Sequence, residues 1–184
     1  MTTAVLETGR LTLRPFAEGD APFLFEMYSD PQTARYLSYP PFTETGQAQA
    51  MVERILKAQA EERTVDRVIA RKSDGAPVGS CTLFSWNKQC ARAEIGYCLM
   101  RTHTSQGYMH EALRGFIDYA FGVLAMNRIE ADIDPRNARS AKSLERLGFV
   151  KEGFLRERWI VAGEVSDTAL YGLLRRDWTE KGPR

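Results

Sequence analysis

Residues 101–121 read RTHTSQGYMHEALRGFIDYAF, a polar segment with one glycine that runs straight into an amphipathic stretch. Leu113, Phe116, Ile117, Ala120, Phe121 and Leu124 recur at i, i+3, i+4, i+7, i+8 and i+11, the spacing that lays apolar side chains along one face of an α-helix. The first N–H groups of a helix have no intrahelical acceptor, and the helix dipole adds partial positive charge there. A helix that starts after a glycine loop therefore suits a phosphate, and Gly107 permits the close backbone approach this needs. Thr104 or Ser105 acting as a plain N-cap of a packing helix accounts for the same residues. One glycine does not decide between the two.

The flanking segments place this helix in an α/β domain. Upstream, RLTLRPF alternates Leu11 and Leu13 with polar residues, as a half-buried strand does. GDAPFLFEMYSD starts a helix with Asp20 as N-cap and Pro22 in its first turn. A second helix runs from Thr43 to about Arg63, its apolar stripe carried by Met51, Val52, Ile55 and Leu56. Two strands joined at Ser73-Asp74-Gly75 follow, and RAEIGYCLM reads as a third. Downstream, NRIEADID alternates as a strand with one solvated face, NARSAKSLERLG is a short helix closed by Gly148, and two strands flank a turn at Gly163. The expected architecture is α/β: a mixed, mostly antiparallel sheet of about seven strands flanked by about four helices.

At 184 residues and 43% hydrophobic side chains, the chain suits one domain over 1–184, with a core over 8–178 and a disordered tail at 179–184. Its 25 basic and 24 acidic residues leave a formal charge of +1, so no chain-wide positive field advertises nucleic-acid binding. No apolar run is long enough to span a bilayer, and MTTAVLETGR lacks the basic and apolar regions of a signal peptide. A cytoplasmic protein with no membrane partner is expected. Cys81, Cys90 and Cys98 are odd in number and widely spaced, and His103 and His110 are the only histidines, so no metal site is expected.

The segments AEIGYCLM, SQGYMHEAL, NRIEADIDPRNARSAKSLERLGFVKEGFLRER and DTALYGLLRRDW occur in this order, and together they resemble the GNAT acetyltransferase superfamily. Within it the similarity is to the ribosomal-protein N-terminal acetyltransferase branch, the RimJ/RimL type. It extends over nearly the whole chain from LETGRLTLRPF and is strongest over 94–156. The resemblance implies acetyl-CoA as cosubstrate, its pantetheine arm lying where the strand Glu94–Met100 splays from a parallel neighbour at Arg128–Asp134. The pyrophosphate loop of the superfamily, Gln/Arg-x-x-Gly-x-Gly/Ala, falls on Thr104, Ser105, Gln106, Gly107, Tyr108 and Met109. Gly107 matches; Thr104 and Met109 depart, which weakens a phosphate site without abolishing it, since backbone N–H groups do most of the holding.

The same resemblance implies a division of labour. A backbone N–H near Cys98 or Leu99 would polarise the thioester carbonyl. Glu94 would take a proton from the acceptor amine, although a solvated strand carboxylate reads identically. In Asn137-Ala138-Arg139-Ser140, Asn137 would hold the pantetheine amide and Ser140 would protonate the leaving thiolate; either residue is also a good helix N-cap. His110 reads as a solvated or capping-side residue, Glu145, Arg146 and Glu152 as exposed helix and loop charges, and Tyr36, Tyr39 and Trp86 as candidate acceptor contacts. The acceptor implied is a primary amine, a protein N-terminus such as that of a ribosomal protein, bound by a monomer or homodimer. A small-molecule amine, or an inactive acetyl-CoA-binding module, are the alternatives.

Overall fold

The computed structural model describes residues 4–180. The chain order is β1 (Leu6–Glu7), β2 (Leu11–Arg14), α1 (Ala21–Ser29), α2 (Pro31–Ala34), α3 (Thr45–Ala60), β3 (Val65–Arg71), β4 (Pro77–Asn87), β5 (Arg92–Leu99), α4 (Tyr108–Gly122), β6 (Arg128–Ile133), α5 (Ala138–Arg146), β7 (Val150–Val161), β8 (Glu164–Leu174) and α6 (Arg175–Glu180). The fold class read from the sequence holds, with three elements added: β1, α2 and α6. The last runs into the tail expected at 179–184, of which residues 181–184 lie outside the described residues.

Among the described residues, eight strands form one sheet in the order β1-β2-β3-β4-β5-β6-β8-β7. Every neighbouring pair is antiparallel except β5 and β6, which run parallel. A parallel step needs a crossover, and α4 supplies it. Its apolar face, with Phe116 and Ile117 fully buried, packs on Leu13, Ile69, Val78, Leu83 and Ile129 of the sheet, joined by Leu144 of α5. The other face carries a smaller core in which Leu24 and Met27 of α1 and Val52 of α3 meet Val68 and Cys98. Each such fully buried side chain contributes about 1.5–3 kcal/mol. Among the described residues no helix is long and apolar enough to cross a membrane.

One local expectation changes. Asp20 occupies the N-cap position of α1 but makes no capping bond; its carboxylate is taken by the Arg14 guanidinium, at 2.6 and 2.8 Å, and by the Ala17 N–H. An ion pair with additional N–H support outcompetes a single cap bond. Arg67 of β3 is fully buried in the larger core, which its sequence context does not announce. Its Nη1 donates to the Asp66 carbonyl at 2.8 Å, its guanidinium lies 5.8 Å from the Tyr119 ring, and Nε and Nη2 have no partner among the described residues. An uncompensated buried charge is costly, whereas an apolar residue of similar volume is neutral or stabilising. Arg67→Met is therefore expected to leave the thermal midpoint unchanged or to raise it, by up to about 2 kcal/mol of stability. A clear drop in a calorimetric scan would show that the guanidinium is satisfied by groups beyond these.

Candidate active site in the strand gap

The parallel pairing of β5 and β6 covers only Arg92↔Arg128, Ala93↔Ile129 and Glu94↔Glu130. Beyond Glu94, β5 continues against β4 alone, while β6 continues against β8 alone through Ile133. The two strands thus part, and each leaves backbone groups facing the opening. Which groups face it follows from the ladder. The Met100 N–H donates to the Val78 carbonyl of the β4 side at 2.9 Å, and successive residues alternate direction. Cys98 therefore also points its N–H at β4, and the N–H groups of Tyr97 and Leu99 face the gap. Of the two residues suggested for the carbonyl contact, Leu99 has the right direction. The Cys98 side chain is buried in the smaller core, and burial pushes its thiol up to about 12, which removes it as a nucleophile at neutral pH.

At the open end, a 3₁₀ turn at Arg101–His103 leads into the glycine loop. Ser105 and Gly107 both have positive φ, 63° and 80°, and α4 starts at Tyr108 with Gly107 as N-cap and no side-chain cap bond. Neither Thr104 nor Ser105 caps α4; the Thr104 hydroxyl donates backwards to the Arg101 carbonyl at 2.9 Å. The backbone N–H groups from Ser105 to His110 find no acceptor among the described residues. A Cβ built at Gly107 would meet only Arg10 Nη2, at 3.4 Å. This is a run of donors without a partner among the described residues at a helix N-terminus, and it fits a pyrophosphate. Arg10, distant in sequence, braces the loop. Its guanidinium donates to the Gln106 carbonyl at 3.1 Å and to Glu111 at 2.6 Å, and stacks 4.8 Å from the Tyr108 ring.

Further along the gap, on the face that α4 and α5 cover, Ser140 is 9% exposed, and its Oγ lies 2.7 Å from the Tyr97 hydroxyl. Asn137 caps α5, its side-chain oxygen accepting the Ser140 N–H at 3.1 Å. Glu94 lies three residues from Tyr97 along β5 and so points to the opposite face. It is half-buried and without a hydrogen bond or ion pair among the described residues, whereas its register partner Glu130 is held by Arg92 and Arg128 at 2.5 and 2.7 Å.

Residues 10–150 match the family model described as an acetyltransferase (GNAT) domain. The chain belongs to the GNAT acetyltransferase family. It is 38% identical over 173 residues to the uncharacterized N-acetyltransferase p20 of Bacillus licheniformis, covering 94% of this chain and 97% of that one. It is 36% identical over 85 residues, 46% of this chain and 44% of the other, to the ribosomal protein uS5-alanine N-acetyltransferase of Escherichia coli. Its fold superposes with a TM-score of 0.82 on the crystal structure of spermidine N-acetyltransferase from Vibrio cholerae in complex with CoA and spermine, at 21% identity and covering 92% and 98% of the two chains. The chain is thus an acyltransferase of the N-acetyltransferase type, in a family whose fold uses acetyl-CoA.

The remaining candidates divide between the two faces of this GNAT domain. Tyr39 joins Tyr28 and Phe42 in an aromatic cluster, with ring centroids 5.4–5.8 Å apart, on the face to which Glu94 points; burial moves its phenol far above the usual range. Tyr36 stacks with Arg35 at 5.3 Å. Trp86 packs against the larger core, on the α4 face, and is not beside Tyr36 and Tyr39. The cause is a bulge. Ser85 has φ 51°, and the β4–β5 register shifts between Phe84 and Asn87, so Trp86 turns to the face opposite Phe84. His110, read as solvated or capping-side, has a buried and unpartnered Nδ1, and its pKa is lowered by burial and by Arg114 and Arg146. Glu145, Arg146 and Glu152 are exposed as expected, Glu152 paired with Arg128. Tyr97 and Arg10 were not legible as site residues, because the contacts that define them span 43 and 101 positions.

Proposed function

We propose that this chain moves the acetyl group of acetyl-CoA directly to a primary amine in one ternary complex, and that the preferred acceptor is the α-amine of a protein or peptide N-terminus. The observation that carries this is the arrangement of the gap: an unpartnered carboxylate, Glu94, on one face and a hydroxyl pair, Tyr97 and Ser140, on the other. In this reading Glu94 accepts a proton from the incoming amine, directly or through a water. The Leu99 N–H, and the Tyr97 N–H beside it, steady the carbonyl oxygen as charge gathers on it. Ser140 gives its proton to the departing sulfur. The loop from Thr104 to Met109 holds the pyrophosphate through its N–H groups, with Asn137 at the pantetheine. Tyr36 and Tyr39 border the acceptor.

The preference for an α-amine rests on proton arithmetic and on kinship with the uS5-alanine enzyme. At neutral pH an α-amine of pKa ~7.7–8.0 is roughly a tenth to a sixth neutral, whereas a lysine amine near ~10.4 is neutral in fewer than about one molecule in a thousand. One carboxylate without a hydrogen bond or ion pair among the described residues, Glu94, suits the easier task. A polyamine acceptor is the second reading, favoured by Asp132 of β6 and Asp134 just past its end, the first held by Thr168 and Trp159 and the second by Arg136. Initial rates of thiol release from about pH 6.5 to 9.5 test the assignment, with wild type and Glu94→Gln compared on an N-terminal peptide. The Glu94→Gln deficit is expected to be largest, about 10- to 100-fold, below pH 8 and to shrink as the amine deprotonates unaided. A constant deficit would make Glu94 a positioning group, and acetylation of polyamines with none of peptide N-termini would overturn the acceptor.

A further inference from the structure

Serines inside a helix ordinarily turn their hydroxyl back to a carbonyl three or four residues earlier. Ser143, in the same helix α5, does so, donating to the Arg139 carbonyl at 2.9 Å. Ser140 does not. Its Oγ meets the Tyr97 phenol at 2.7 Å, across the gap from β5, and among the described residues this is the one hydrogen bond either hydroxyl makes. Either hydroxyl could donate in that bond, since each carries one proton and lone pairs. The phenol is the more acidic of the two and hence the better donor. With Tyr97 donating, the serine proton is left unused and free to point into the gap; with Ser140 donating, it is consumed. Burial pushes the Tyr97 phenol up to about 12, so it stays protonated throughout neutral pH.

We propose that Tyr97 is the positioning residue for Ser140: its phenol donates to Ser140 Oγ, keeps that hydroxyl off the helix backbone and aims its proton at the sulfur of the bound thioester. The inference rests on the acetyl-transfer reading above. In the step itself, the amine nitrogen forms the C–N bond and loses one proton toward Glu94. The C–S bond breaks with its electron pair on sulfur, and sulfur takes the Ser140 proton. Solvent returns a proton to the serine oxygen once the thiol departs. Tyr97 keeps its own proton, and its hydrogen bond strengthens as negative charge develops on Ser140 Oγ, which is where a donor accelerates the step rather than merely binding substrate.

Tyr97→Phe keeps the ring and removes the donor, so Ser140 falls back to the Asn137 carbonyl three residues earlier. Turnover is expected to fall about 5- to 20-fold, with KM for acetyl-CoA and the calorimetric Kd for CoA within about twofold of wild type. Ser140→Ala alone is expected to lower turnover about 10- to 100-fold. The decisive measurement is the double variant: because Tyr97 acts through Ser140, adding Tyr97→Phe to Ser140→Ala should lower turnover no further. Losses that multiply in the double variant, full turnover in Tyr97→Phe, or full turnover in Ser140→Ala would each overturn the pair while leaving the acetyltransferase reading intact. A wild-type protein that binds CoA but releases no thiol with any amine would overturn that reading, and the pair with it.

Discussion

Gly107→Val is expected to raise the Kd for CoA by about 5- to 150-fold, the equivalent of about 1–3 kcal/mol for one strained backbone position. Gly107 sits at φ 80° and ψ 0°, a conformation that a β-branched side chain resists. Its Cβ would stand where a phosphate must approach the bare N–H groups of the loop, and the loop is braced from only one side, by Arg10. Titration calorimetry reads the change directly. Gly75→Val is the matching control: Gly75 has φ 72°, open space around it and a place in the turn between β3 and β4. It should therefore lower stability by a similar amount and leave CoA affinity alone. Unchanged affinity in a folded Gly107→Val protein would remove the phosphate cradle from consideration.

Gly79→Ala is expected to be the more damaging substitution for the fold, although Gly79 has an ordinary strand backbone. A Cβ there would lie 2.5 Å from the Cys98 carbonyl oxygen and 2.9 Å from the Leu99 side chain. Both belong to the stretch of β5 that has lost β6 as a neighbour, so the wall of the gap would be pushed outward. Backbone cannot swing aside as a side-chain tip can, and overpacking of this kind costs about 1–3 kcal/mol. For a chain of this size that is about 3–10 °C in the thermal midpoint. Affinity for acetyl-CoA should fall with it, because displacing Leu99 moves an N–H group that faces the gap. A variant with wild-type midpoint and wild-type affinity would show that β4 and β5 separate freely here, and would undermine the rigid-wall picture.

The sequence disclosed most where local physics and tertiary structure agree. The apolar recurrence from Leu113 to Phe121 specifies α4, because burial of one helical face is what that period encodes. Alternation likewise gave β2 and β6. Elements too short for a period escaped: β1 has two residues and α2 has four. The splay of β5 from β6 has no signature in spacing and came from family resemblance, since register between strands 36 positions apart is fixed by the whole sheet. Trp86 shows the sharper failure. Parity from Phe84 places it on the Glu94 face, but one residue of bulge at Ser85 reverses it. At the site, Gly107 and Asn137 could be read because their tasks are local. Tyr97 and Arg10 could not, because a phenol or guanidinium becomes a site residue only through the distant group it meets.

Along the sheet, β8 lies between β6 and β7, although it follows both in the chain. The strand translated after all the others is therefore an interior one, inserted between two that are already made. Until residues 164–174 emerge from the ribosome, β6 has only its short parallel contact with β5 to hold it, and the twelve residues of β7 have no partner. The β6–β8 pairing closes across intervening β7, from Ile133↔Ala169 to Arg128↔Leu174, at a cost in loop entropy that the β7–β8 hairpin does not carry. The far wall of the gap thus gains its second strand neighbour only after every other strand has been made.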